Sequence, residues 1–143
     1  MTFVLPEAPH LPGRTPRPSE ALFAPLKAGL PKDARGLLSS DAFKGGFAAF
    51  EARYYWEAHE LWEAVWSALA PAGAERLWVS GLIQLANSGL KARLGRRVAA
   101  ARCLALADGL LAEAQTRGAA LSATIDPAAL RRQVVNEVAD YEI

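Results

Sequence analysis

At 143 residues, 52% hydrophobic and 22% charged, the chain has the size of one domain and the composition of a globular protein, not a disordered one. A formal net charge of +1 provides no whole-molecule field to attract nucleic acid or an anionic membrane, so neither is expected as a partner. The single cysteine, Cys103, rules out an intrachain disulfide and is expected to be a small buried apolar residue in a reducing compartment.

The first segment, Met1 to Glu7, has no basic stretch ahead of an apolar run and is not expected to act as a secretory leader. Seven of the nine prolines lie between Pro6 and Pro31. Each fixes a backbone angle and removes a hydrogen-bond donor, so residues 1–38 should form a proline-rich extended arm with at most one short helix. Ser19 to Ala24 is the natural place for that turn. Leu22 and Phe23 would anchor the arm to a core.

Residues 39–143 should form a single helical domain. Ser39, Ser40 and Asp41 are capping residues placed before Phe43, Phe47, Phe50 and Tyr54, whose spacing of four, three and four marks one face of a helix. Gly45 and Gly46 weaken that helix and allow a neighbouring backbone to come close. A short break is expected between Glu51 and Trp56. The next helix buries Ala58, Leu61, Trp62, Val65 and Leu69 and stops before Pro71. From Ala74 to Ala92 the pattern is apolar around most of the circumference, as suits the middle of a bundle.

After Gly95 a further helix should pack Val98, Ala101, Leu104, Ala105, Leu111 and Ala114 inward and end near Gly118. The last helix begins with Asp126 as cap and Pro127 in the first turn, and carries Leu130, Val134, Val138 and Tyr141 as its stripe. No strand pattern competes. The fold class is therefore all-α, a compact bundle of about five helices in antiparallel hairpins behind the arm. The longest apolar-rich run, Leu77 to Leu90, is interrupted by Ser80, Gln84, Asn87 and Ser88 and is too short to span a bilayer, so a cytoplasmic protein is expected.

Chemistry concentrates in Tyr54 to Trp66. Helical spacing sets His59 above Glu63, with Glu57 and Glu60 on an adjacent strip and Tyr55, Trp56, Trp62 and Trp66 around them. His59 and Glu63, four apart, have the spacing by which one helix offers two ligands to a divalent metal. His59-Glu60-Leu61-Trp62-Glu63 resembles the zinc-peptidase helix with its second histidine replaced, and the other histidine, His10, lies in the arm. Alternatively Glu57, Glu60 and His59 are catalytic candidates for metal-free acid and base work, provided burial separates their proton affinities. The plain alternative is a solvated helix face on which Glu57 and Glu60 favour the positive N-terminal end. The tryptophans read as core.

On the central helix Arg76, Ser80, Gln84, Asn87 and Lys91 form one polar stripe. It faces either solvent or the Glu57 to Glu63 segment, and in the second case the Gln84 and Asn87 amides need the carboxylates or His59 as partners. Lys91, Arg93, Arg96, Arg97 and Arg102 make a basic cluster without the interleaved aromatics that stack on bases.

Tyr55-Trp56-Glu57-Ala58-His59-Glu60-Leu61-Trp62-Glu63, with Trp66 after it and Gly81-Leu82-Ile83-Gln84-Leu85-Ala86 downstream, resembles the domain of unknown function 309 family over roughly Phe43 to Leu111. Pro12 to Pro18 also resembles the proline-rich lead-in of some members. The resemblance implies a compact helical fold and a shared motif of Glu57, His59, Glu60, Glu63 and Gln84, with no established activity. Two departures concern local turns: Arg53 stands where a small residue is usual, and Gly95-Arg96 replaces a Gly-Asn turn.

Two functions follow as expectations. One is a binding or interaction module in which Glu57, His59, Glu60 and Glu63 join Gln84, Asn87 and Arg14 in an ordered network. A homodimer is plausible through the Phe43, Phe47 and Phe50 face and the central helix. The other is a metal-dependent hydrolase or lyase on a small molecule, with His59 and Glu63 as ligands, Glu60 as general base and Gln84 orienting substrate.

Overall fold

The computed structural model describes residues 3–119 and 125–140 and, among them, contains helices, turns and no strand. A 3-10 turn, Glu20–Leu22, precedes α1 (Ala24–Ala28), α2 (Ala34–Leu37), α3 (Asp41–Glu51), α4 (Tyr55–Ala68), α5 (Ala74–Arg93), α6 (Arg97–Thr116) and α7 (Pro127–Asp140). The bundle is thus the five helices α3 to α7. The arm holds more helix than its prolines suggest, because Pro25 occupies the first turn of α1, where a missing donor is harmless, and Asp33 caps α2 through Gly36.

Ser40 starts α3 by accepting from the Phe43 N–H at 3.2 Å, and Asp126 starts α7 through the Ala128 N–H at 3.1 Å. Between α3 and α4, the expected break is the stretch 52–54, and it turns on Arg53 with φ 68°. That left-handed angle is one that residues other than glycine rarely adopt. Gly95 and Gly118, at φ 76° and 70°, end α5 and α6 in the same conformation.

Helix α5 lies at the centre, packed against α4, α6 and α7, while α3 covers α4. The buried face read for α4 is present in full: Ala58, Leu61, Trp62, Val65 and Leu69 are all in the core. Gly46 lies against the Trp62 indole and Gly45 against Phe3 and Leu61, so the paired glycines admit side chains and not a neighbouring backbone. Trp62 donates its ring N–H to the Phe43 carbonyl at 3.0 Å.

Helix α6 departs from its expected stripe. Ala100, Ala107 and Ala114, seven apart, are its fully buried residues, Leu104 and Leu111 are half-buried, and Val98, Ala101 and Ala105 are exposed. A column of alanines lets α6 approach α5 closely. Gly81 accommodates Leu111, and Ser88 donates to the Ala100 carbonyl at 2.7 Å. Of the expected stripe, Ala114, Leu104 and Leu111 do face the core, while Val98, Ala101 and Ala105 point outward. Cys103 is half-buried, with burial pushing its thiol up.

The Phe43, Phe47 and Phe50 face is closed within the chain. Phe43 and Phe50 are buried against Trp62, and Phe47 is half-buried. Of these three residues Phe47 alone keeps a sizeable part of its surface exposed. On α7, Leu130 and Val134 are buried, Val138 only half so, and Glu137 takes the interior position beside it; Tyr141 lies outside the described residues. None of the helices among the described residues is long and apolar enough to cross a membrane.

Candidate functional site

The first turn of α4 buries two residues on opposite sides, as positions two apart on a helix must. Tyr55 points toward α3 and α7, and Glu57 toward the arm. Glu57 has no exposed surface at all. Its Oε2 accepts the His10 backbone N–H at 2.9 Å, and its Oε1 is buried without a hydrogen-bond partner among the described residues. Burial pushes the Glu57 carboxyl above its ordinary range, the Glu60 charge adds to this, and the His10 N–H opposes it.

The arm is shaped to deliver that N–H. A turn over residues 11–15, with Gly13 at φ 82°, lets the Thr15 hydroxyl accept from the Leu11 N–H at 2.8 Å and meet His10 Nδ1 at 2.9 Å. The His10 ring stands edge-on to Trp56 at 4.7 Å, and the Arg17 guanidinium lies over the same indole at 5.5 Å. Further ties run from Tyr54, whose hydroxyl donates to the Pro6 carbonyl, and from Phe23, fully buried against Phe3 and Trp56. Leu22, the second expected anchor, remains exposed.

The other three motif residues open outward. His59 Nε2 is 3.3 Å from Glu63 Oε2, and His59 Nδ1 is 3.9 Å from Glu60 Oε1. One donor atom from each of His59, Glu60 and Glu63 lies within 4.8 Å of the others. Lys27 of α1 reaches across to Glu60 at 3.5 Å while holding Glu20 at 3.0 Å. Arg17, Lys27, Glu60, Glu63, Ala64 and Ser67 line a shallow depression of about 380 Å³. The four motif residues of α4 are therefore split, with Glu57 locked inside and the remaining three accessible.

Gln84, Asn87 and Arg14 form their hydrogen bonds elsewhere. Gln84 and Asn87 are half-buried and meet each other in a long contact of 3.5 Å. At the start of the same stripe Arg76 stacks 3.8 Å above the Trp66 ring and donates to the Trp66 carbonyl at 3.1 Å. Arg14 donates to the carbonyls of Leu94 and Arg93, at 2.9 and 3.5 Å, at the C-terminal end of α5. A cation there satisfies carbonyls that have no partner within the helix. The arm thus supplies the partners expected from α5.

Sequence reasoning missed His10, because its contribution is a backbone N–H that any residue other than proline offers. It also missed a second buried polar group on the far side of Tyr55. Gln133 of α7 donates to the Tyr55 hydroxyl at 3.0 Å and to the Phe50 carbonyl at 2.7 Å. Glu137, fully buried, lies 3.4 Å from Arg53, and neither of its oxygens has a hydrogen-bond partner among the described residues. Burial, with the Glu137 charge adding to it, raises the Tyr55 phenol well above its ordinary value, against the Gln133 hydrogen bond and the Arg53 and Arg93 charges.

Residues 43–103 match the family model described as Domain of unknown function (DUF309). The matched span takes in most of α3, all of α4 and α5 and the start of α6, including the four α4 motif residues and Gln84. No curated protein and no solved structure matches the chain.

Proposed function

We propose that this chain is a binding module in which the arm, residues 1–38, is fastened over a helical domain of residues 39–143 and the outer flank of α4 is its recognition face. The face combines Glu60, Glu63 and His59 with Arg17 and Lys27, and so suits a ligand that carries both signs of charge, such as a polar peptide segment. The burial of Glu57 under His10 carries this reading. A general acid or base has to reach a substrate proton, and Glu57 is enclosed with one oxygen committed to a backbone amide. Its role in this reading is to order the arm, which positions Arg17 and Lys27 beside the open carboxylates.

The test is a titration of isotope-labelled protein with short peptides bearing both lysine and glutamate, followed by amide and side-chain NMR shifts. Shifts centred on Arg17, Lys27 and residues 59–67, and lost in Glu63→Lys, are the expected result. Absence of shifts there, or shifts confined to another surface, overturns the reading.

A second reading, a metal-dependent hydrolase or lyase on a small molecule, draws its support from the convergence of the His59, Glu60 and Glu63 donor atoms within 4.8 Å. It requires turnover of a small ester or phosphodiester that depends on added metal and disappears in His59→Ala.

A further inference from the structure

We infer that His59, Glu60 and Glu63 bind a divalent transition-metal ion of the zinc class, and that Lys27 is the internal cation this ion displaces. The inference rests on the reading of the α4 flank as a binding face and specifies one ligand for it. Three observations combine.

The first is donor type and spacing. A tetrahedral zinc ion with an imidazole nitrogen and a carboxylate oxygen at about 2.0–2.2 Å holds those two atoms roughly 3.3–3.5 Å apart. His59 Nε2 and Glu63 Oε2 are separated by 3.3 Å. Glu60 adds a third donor, and one donor atom from each of the three residues lies within 4.8 Å of the others. Sequence reading left this site one protein ligand short. Glu60, treated there as a base, is the missing ligand, and solvent or a ligand group can take the fourth position.

The second observation is a cation already seated on that ligand. Lys27 Nζ is 3.5 Å from Glu60 Oε2, 3.0 Å from Glu20 Oε1 and 5.4 Å from the Phe23 ring centroid. A carboxylate that binds zinc through this oxygen loses most of its interaction with the ammonium, and the two cations repel. Lys27 therefore competes with the ion for Glu60 while Glu20 retains it nearby.

The third is an excess of negative charge that the arm leaves in place. Glu60 and Glu63 line the depression with Arg17 and Lys27, and Glu20 holds Lys27 from outside it, so three carboxylates face two cations. Glu57 Oε1 is fully buried without a partner among the described residues in the turn of α4 next to Glu60. A dication bound by Glu60 and Glu63 with the His59 imidazole offsets that excess. It also frees Lys27, and with it the hold of α1 on α4, so that metal occupancy and arm position become coupled.

The experiment is a competition titration of Zn²⁺ between the full chain and a chromophoric chelator, for wild type, His59→Ala, Glu60→Gln, Lys27→Met and Lys27→Arg. One zinc per chain is expected, weakened at least tenfold by His59→Ala and by Glu60→Gln, tightened threefold or more by Lys27→Met and little changed by Lys27→Arg. Hydrogen exchange over Glu20 to Ala28 should speed up when zinc is added to wild type. Helical circular dichroism confirms that each variant is folded. Zinc binding unaffected by His59→Ala or Glu60→Gln overturns the site, and Lys27→Met that fails to tighten it overturns the competition. Peptide-induced shifts without zinc uptake remove this inference alone, and zinc uptake without peptide shifts removes the recognition reading alone.

Discussion

The backbone N–H of His10 reaches the Glu57 carboxylate at 2.9 Å across 47 residues of chain. This bond joins the proline-rich arm to the first turn of α4, and it fills only one of two buried oxygens. A buried carboxylate in that state is a compromise. It fixes the arm in one position, and it holds a charge where burial disfavours the charged form.

Replacement of Glu57 should separate those two effects. Because the folded-state proton affinity is raised, this group contributes most to stability below the ordinary carboxylate range, and the contribution is lost as pH rises through the raised value. Glu57→Gln keeps an acceptor for the His10 N–H and removes the charge, so its stability relative to wild type should increase from pH 4 to pH 8, by about 1 kcal/mol at the upper end. Glu57→Ala leaves the His10 N–H buried without an acceptor and should cost about 1–3 kcal/mol. Urea unfolding across this pH range checks both. Limited proteolysis should cut the arm of Glu57→Ala sooner than that of Glu57→Gln, and equal rates would contradict the fastening role.

Arg53 and Glu137 should behave as a coupled pair. Arg53→Gly relieves the left-handed angle, a gain of order 1 kcal/mol when taken alone. It also leaves Glu137 fully buried without the cation 3.4 Å away; Arg53 itself is half exposed and its charge partly screened, so uncovering the buried carboxyl costs about 1–3 kcal/mol. The single variant is therefore expected to be less stable than wild type. Glu137→Gln in the same chain should restore much of the loss, and additive effects in the double-mutant cycle would refute the coupling.

Much of this fold can be read from the residues because its signals are local. Ser40, Asp126, Pro127, Gly95 and Gly118 mark helix ends by chemistry that operates within a few residues, and the α4 stripe is built from large apolar side chains. The α6 stripe is legible only in part, at Leu104, Leu111 and Ala114, because helix approach there also depends on the small Ala100 and Ala107, which carry little hydrophobic signal. In the site, His59, Glu60 and Glu63 converge through spacing on one helix, and so were visible. The partners of Glu57 and Glu60 come from His10 and Lys27, far away in sequence, and no periodicity encodes a contact of that kind. The expected link to Gln84 had the right logic, since a buried carboxylate does need partners, but the wrong source.

Two glycines in helices offer opposite outcomes from the same change. Alanine normally improves a helix by about 0.5–1 kcal/mol over glycine. Gly109 in α6 has nothing within 4 Å of an added Cβ, so Gly109→Ala should be stabilising by that amount. At Gly46 the added carbon collides with the Trp62 indole, whose N–H is held by the Phe43 carbonyl. Displacing a buried tryptophan is an overpacking cost of about 1–3 kcal/mol or more. Gly46→Ala should therefore lower the melting temperature and change tryptophan fluorescence, while Gly109→Ala raises the former and leaves the latter alone.

Tyr55 should set the alkaline limit of the fold. Its side chain is buried beside Glu137, and both burial and that charge favour the neutral phenol. With the folded-state value raised above the unfolded one of about 10, the contribution to stability is complete below pH 10 and declines as pH rises beyond it, since the unfolded chain releases the proton first. Tyr55→Phe removes this titration. It also removes the acceptor of the Gln133 amide, which keeps its other bond to the Phe50 carbonyl at 2.7 Å, so the loss at pH 7 should be only about 1 kcal/mol. The stability curves of wild type and Tyr55→Phe are thus expected to converge between pH 10 and pH 11. Urea unfolding measured in that interval, with tyrosinate absorbance followed in parallel, decides the point, and curves that stay parallel would show that the Tyr55 phenol ionises as freely in the fold as in the unfolded chain.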